Sequence, residues 1–149
     1  MELNDPIELL LREKSSDVWR VTTTTLVYDA IALMAEKKIG ALLVIDDGEL
    51  VGIMSERDYA RRVILKGKSS KETRVREIMS SPVIHVTSKE TVGEVMSLMT
   101  DHRIRHMPVV DNGRVVGVLS IGDIVKWIID AQEATITQLH GYITGRYPG

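Results

Sequence analysis

Two short stretches hold the polar groups best placed for chemistry. One is Val51 to Asp58, Val-Gly-Ile-Met-Ser-Glu-Arg-Asp. The other lies 65 residues later, Val116 to Asp123, Val-Gly-Val-Leu-Ser-Ile-Gly-Asp. In each, an apolar run of strand length meets a Ser, then two residues, then an Asp. Apolar residues at helical spacing follow: Tyr59, Val63 and Ile64 in the first, Ile124, Val125 and Ile128 in the second. Ser-x-x-Asp before such a run is a helix-start signal. Ser55, Asp58, Ser120 and Asp123 therefore sit where a strand gives way to a helix. In α/β architectures that junction often holds ligands.

The pattern points to binding rather than turnover. Neither Ser55 nor Ser120 has a His at motif spacing, so no nucleophile–base pair forms. The chain has no Cys, which excludes disulfides, thiolate metal sites and Cys nucleophiles. No His/Asp/Glu spacing suggests a metal site. His85 and His140 have no partner pattern. Arg57, Arg61, Arg62, Lys66, Lys68, Lys71, Arg74 and Arg76 form a cationic run against only Asp58 and Glu72; most of it reads as a solvated face. Arg103, Arg105 and His106 follow a predicted helix end, where cations are favoured, and together they suit an anion. The plainer reading of both Ser-x-x-Asp motifs is helix capping alone, and a capping Ser can do both jobs.

The elements that position these groups come from a globular composition. The chain has 149 residues, 44% apolar and 27% charged, with no Phe, so Leu, Ile, Val and Met must build the core. A net charge of −2 argues against general nucleic-acid binding. The first residues lack a basic, then apolar leader, and no run approaches the ~20 apolar residues that span a bilayer. The expectation is a cytoplasmic protein that engages neither membrane nor nucleic acid.

Residues 5–14 read as a short amphipathic helix, with Asp5-Pro6 as cap and first turn. Val18 to Thr22 is a predicted strand. Val27, Ile31, Met34 and Ala35 give a helix stopped by Gly40. Ala41 to Ile45 is a strand buried on both faces, Asp46-Asp47-Gly48-Glu49 a hairpin turn, and Leu50 to Met54 the returning strand. A helix runs from about Glu56 to Leu65, and Gly67 to Lys71 is a linker. The order then repeats: strand Val83–Thr87, helix Val92–Met99, strand Met107–Val110, turn Asp111–Arg114, strand Val115–Leu119, and a helix from Ile121 to about His140. The tail from Gly141 should fray.

Residues 18–58 overlay 83–123 without a gap, and 14 of the 41 positions are identical. A repeat this regular means two copies of one β-α-β-β-α unit. A unit of about 60 residues is marginal alone, so the two should pack together, strands facing across a pseudo-two-fold axis with a cleft between. The expected boundaries are an N-terminal helix 1–14, repeats at 15–66 and 79–130, a linker 67–78 and an extension 131–149.

The motifs resemble the cystathionine-β-synthase (CBS) domain in tandem, the Bateman module, over roughly residues 15 to 130. The resemblance rests on Thr22–Thr25 and Thr87-Ser88 before the first helix of each copy, and on Leu-Met within that helix. It rests equally on His106-Met107-Pro108-Val109-Val110-Asp111, on Gly48 and Gly113, and on Gly-x-x-Ser-x-x-Asp in both halves. Ser55-Glu56-Arg57-Asp58-Tyr59 and Lys68–Lys71 look like the stand-alone CBS-pair proteins of bacteria and plant organelles. The chain reads as a CBS pair alone, so the expectation is regulation in trans rather than in cis. The resemblance implies an α/β (α+β) fold of two CBS units packed sheet to sheet, and a non-enzyme.

It also implies adenosine-containing ligands: AMP, ADP, ATP, NAD(H) or S-adenosylmethionine, with no catalytic cofactor. By the resemblance, Asp58 and Asp123 accept the ribose hydroxyls, since a carboxylate can accept both donors of a cis-diol. Ser55 and Ser120 donate to ribose or phosphate, and helix-start amides add partial positive charge. Phosphates fall to Arg57, Arg105 and His106. The halves differ: Gly40 and Ala41 stand at the places of Arg105 and His106, and Gly122 stands at the place of Arg57. The adenine slot maps to Ile84, with Met107 near it, and to Trp19 in the other half. The cations suit phosphate better than a sulfonium. A homodimer and a protein partner acting in trans are implied. The alternative is a ligand-independent scaffold or dimerisation module with degenerate sites.

Overall fold

The computed structural model describes residues 2–14 and 18–143. In chain order the elements are α1 (Glu8–Glu13), β1 (Arg20–Val21), α2 (Val27–Lys37), β2 (Ala41–Asp46), β3 (Glu49–Ser55), α3 (Glu56–Tyr59), α4 (Val92–His102), β4 (His106–Asp111), β5 (Arg114–Ser120) and α5 (Ile121–Ile143). A wider π-helical turn, Ala60–Ile64, continues α3, and short 3-10 turns occupy Glu2–Asn4 and Val75–Glu77. The mixed α/β order expected from the repeat is present. The described residues divide into two compact units, 18–85 with 108–117, and 2–14 with 86–107 and 118–143.

In the unit built on the first repeat, β1 pairs parallel with β2, and β2 antiparallel with β3. Leu42 to Ile45 are buried, as the continuous apolar run required. The turn places Asp47 at φ 49° and Gly48 at φ 80°. Two successive positive φ values define the type I′ turn whose twist matches paired strands. The helix α2 buries Val27, Ala30 and Met34 against Leu42, Val44, Met54, Val63, Val75 and Ile78. Each such side chain, fully removed from water, contributes about 1.5–3 kcal/mol. The end of α2 differs from expectation: Lys38, not Gly40, takes the left-handed conformation, at φ 56°. Arg103 does the same after α4, at φ 55°.

The segment before the second repeat closes this unit. Val27 N–H donates to Thr73 O, Val75 N–H to Thr25 O, and Ile53 and Ser80 exchange both backbone hydrogen bonds. The predicted linker is thus an ordered part of the first repeat's unit.

The second unit uses the N-terminal segment in the same way. Ile7 N–H donates to Glu90 O, Glu8 N–H to Ser88 O, and Val92 N–H to Asp5 O. Ile7 and Leu10 are buried, as are Val86, Val92, Val95, Met99, Met107, Leu119 and Ile124. Here Asp5 is not a helix cap. Ile7 occupies that position without a side-chain bond, and Asp5 Oδ2 accepts from Trp127 Nε1 at 3.1 Å. The strands β4 and β5 form a two-stranded sheet around a turn with Asn112 at φ 53° and Gly113 at φ 77°; their residues 108–117 group with the first repeat's unit.

The expected strand Val83–Thr87 is reduced to a single bridge residue, Val86. Its counterpart β1 is itself only two residues long, and Pro82 just upstream has no N–H to give a ladder. The last helix runs past His140 to Ile143. Of the tail expected to fray, residues 144–149 lie outside the described residues, as does the 15–17 start of the first expected domain. Among the described residues no helix is long and apolar enough to cross a membrane, and no group of three or more His, Asp or Glu could hold a metal ion.

Candidate functional site

Both Ser-x-x-Asp motifs fold as capping boxes at a strand–helix junction. Ser55, the last residue of β3, has extended φ and ψ of −119° and 166° and caps α3. Asp58 N–H donates to Ser55 Oγ at 3.2 Å. Asp58 Oδ2 accepts from Ser55 N at 2.9 Å and from Ser55 Oγ at 3.0 Å. The Ser55 proton is therefore already given to Asp58. The other oxygen, Oδ1, accepts a long 3.3 Å bond from Ser80 Oγ. Asp58 thus holds its own helix with one oxygen and keeps the other weakly engaged.

The second motif repeats the box and adds a cation. Asp123 N–H donates to Ser120 Oγ at 3.1 Å, and Asp123 Oδ2 accepts from Ser120 N at 2.7 Å. Lys14, just beyond α1, places Nζ 2.6 Å from the same Oδ2 and also donates to Val118 O. Burial pushes the Asp123 carboxyl up. The Lys14 hydrogen bond, the Ser120 amide and the Lys14 charge outweigh it and leave the carboxyl below its ordinary value. The Ser120 amide and Lys14 both bond Asp123 through Oδ2.

The helix-start amides are mostly committed. Glu56 N–H donates to Gly40 O, and Ile121 N–H to Arg105 O. Asp58 and Asp123 amides go to the Ser hydroxyls. The amides of Arg57 and Gly122 lie between these two bonded positions. What an anion meets here is then set by side chains more than by backbone.

The other predicted residues differ in exposure. Arg57 and Arg105 are exposed, and His106 is half-buried as the first residue of β4. Gly122 is exposed, and a Cβ there would meet only Ser120 Oγ, at 3.6 Å. Ile84 is half-buried in the stretch that forms no strand. Met107 is fully buried. Trp19 is 37% exposed, and Lys37 Nζ stands 4.2 Å from its ring centroid. That cation–π contact already covers one side of the ring. Sequence reasoning missed Ser80 and Lys14. Each reaches its Asp from a segment distant in the chain, and neither belongs to a motif.

Comparison with known proteins agrees with the duplicated junction. The CBS domain model matches residues 12–65 and 75–130. The chain belongs to the CBS domain family.

It is 42% identical over 142 residues to the mitochondrial CBS domain-containing protein CBSX3 of Arabidopsis thaliana, covering 90% of this chain and 68% of that protein. It is 30% identical over 110 residues to the CBS domain-containing protein YhcV of Bacillus subtilis, covering 74% and 78%. Among solved structures, a CBS-domain protein from Burkholderia ambifaria superposes with a TM-score of 0.81 at 50% identity, over 83% of this chain and 93% of that one. A hexameric CBS-CP12 protein from bloom-forming cyanobacteria superposes at 0.71 with 32% identity, over 77% and 68%. CBS domains are regulatory modules that generally bind adenosine-containing ligands, and the two CBS copies here coincide with the two capping boxes.

Proposed function

We propose that this chain is an adenine-nucleotide-binding regulatory module that controls a partner protein in trans, with AMP, ADP, ATP or NAD(H) as ligand. The observation that carries the reading is the part-used carboxylate at each strand–helix junction. In both motifs Oδ2 fixes the helix start, while Oδ1 is weakly bonded in Asp58 and takes neither the Ser120 amide nor the Lys14 ammonium in Asp123. A preorganised carboxylate with an oxygen to spare suits a sugar diol. The exposed Arg57 and Arg105 supply charge for phosphate. Ligand binding would bias a conformational equilibrium by its differential affinity for the two states, and the partner would read the outcome. Homodimer formation belongs to this reading; the hexameric CBS-CP12 relative supports assembly of some order.

Calorimetry of the purified protein with AMP, ATP and NADH, with mass spectrometry of small molecules released on denaturation, tests the proposal. Binding of at least one at micromolar affinity is expected. Absence of binding, released ligand and thermal shift together would reject it. That result would favour a scaffold module instead, a reading supported by the fact that each carboxylate already has structural work through Oδ2.

A further inference from the structure

The two boxes differ in what reaches them from outside. At the first, the carbonyl of Ile53 accepts Ser80 N–H at 2.9 Å, and Ser80 Oγ makes the long bond to Asp58. At the second, the position of Ile53 is Val118. There one group, the Lys14 ammonium, serves both the Val118 carbonyl and the Asp123 carboxylate. A neutral hydroxyl and amide at one box are replaced by a cation at the other.

We propose that Lys14 is a specificity-determining residue that makes the Asp123 site prefer phosphorylated over unphosphorylated nucleosides. The inference rests on the nucleotide reading above and deepens it for one half. One hydroxyl of a diol can turn to Oδ1 of Asp123, but the second competes at Oδ2 with a charge-assisted bond of 2.6 Å. A neutral nucleoside displaces the ammonium and gives nothing back. A nucleotide displaces it and offers a phosphate as its new partner. Lys14 is half-buried, on a flexible stem with rotatable donors, so it can turn from carboxylate to phosphate without unfolding α1. Among the described residues no cation bonds Asp58 in this way, so the first box should discriminate less.

The test uses the full chain carrying Asp58→Asn, so that the Asp123 site alone is read. Adenosine and AMP affinities are measured with Lys14 intact, with Lys14→Met and with Lys14→Arg, each checked for folding by circular dichroism. Losing a charged hydrogen-bond competitor is expected to tighten adenosine by about tenfold or more, narrowing the AMP-to-adenosine ratio. Lys14→Arg should keep the wide ratio, which a merely structural loss of Lys14 would not explain. An adenosine affinity in Lys14→Met that is unchanged or weaker overturns the inference while leaving nucleotide binding standing. If none of the proteins, including the chain with Asp58 intact, binds either compound, the nucleotide reading fails and the discrimination falls with it.

Discussion

Glu56 N–H donates to the carbonyl of Gly40 over 3.0 Å, tying the first residue of α3 to the residue that precedes β2. Ile121 and Arg105 repeat the bond at 2.9 Å. The start of each second helix is thereby pinned to the entry of the first hairpin strand, β2 or β4. This fixes where the Ser-x-x-Asp carboxylates stand and spends an amide that an anion could otherwise use.

Asp58→Asn separates binding from capping. An Asn oxygen still accepts at a helix start, so stability should change by less than about 1 kcal/mol. The charged bonds to a diol are lost, and nucleotide affinity at that half should fall roughly 10- to 100-fold. Calorimetry with AMP on Asp58→Asn and on Asp123→Ala checks this; full affinity in both variants would remove the carboxylates from the site.

Gly122→Arg should transplant the Arg57 charge into the second half. Space is open around Gly122, so no clash follows. Replacing Gly in a helix gains roughly 0.5–1 kcal/mol, and a cation near the N-terminus costs about 0.3–1 kcal/mol, so stability should barely move. AMP should bind tighter, and more so at low salt. Equal affinity at every salt concentration would show that this position does not face phosphate.

Acid sensitivity should run through Asp123. Burial opposes ionisation of its carboxyl, but Lys14 and Ser120 more than compensate, so its folded value lies below the ordinary 3.8. Asp46 is lowered too, by the Thr23 hydroxyl and then the Thr23 amide. Such groups contribute stability that is fully present above the unfolded value and is lost as pH falls through the folded one. The melting temperature of wild type should therefore drop more steeply below pH 3.8 than that of Asp123→Asn. Parallel melting curves against pH would contradict the assignment.

Gly52→Ala should destabilise through one neighbour. A Cβ there would lie 2.5 Å from Met79 Sδ and 3.0 Å from Met79 Cγ, so Met79 must move. Overpacking of this kind costs about 1–3 kcal/mol. Adding Met79→Ala should recover part of the loss in urea unfolding. If the double variant is no more stable than Gly52→Ala, the contact is not the cause.

Most of the local structure was legible because it depends on near neighbours. Asp47-Gly48 and Asn112-Gly113 announce type I′ turns by chemistry alone, and Ser55-x-x-Asp58 and Ser120-x-x-Asp123 announce boxes within four residues. The repeat offset then placed the second copy from the first. What the chain order hid depends on distant partners. A continuous apolar spacing around Tyr59 and Val63 reads as an ordinary helix, yet Leu65 N–H reaches Ala60 O and Lys68 N–H reaches Val63 O, widening the turn. Val83–Thr87 carries strand-forming residues but forms no ladder. Lys14 belongs to no pattern, and only the fold brings it to Asp123, 109 residues away.

The two closing segments, Asp5–Glu8 on the second repeat and Ser70–Arg76 on the first, give the chain a crossed wiring. Each repeat is completed by the stretch that precedes its sibling. Trimming the chain through Lys14 would then injure the half of the molecule most remote in sequence, stripping the cover from Val92 and the lysine from Asp123. A nick in the middle of the chain would spare that half and loosen the other.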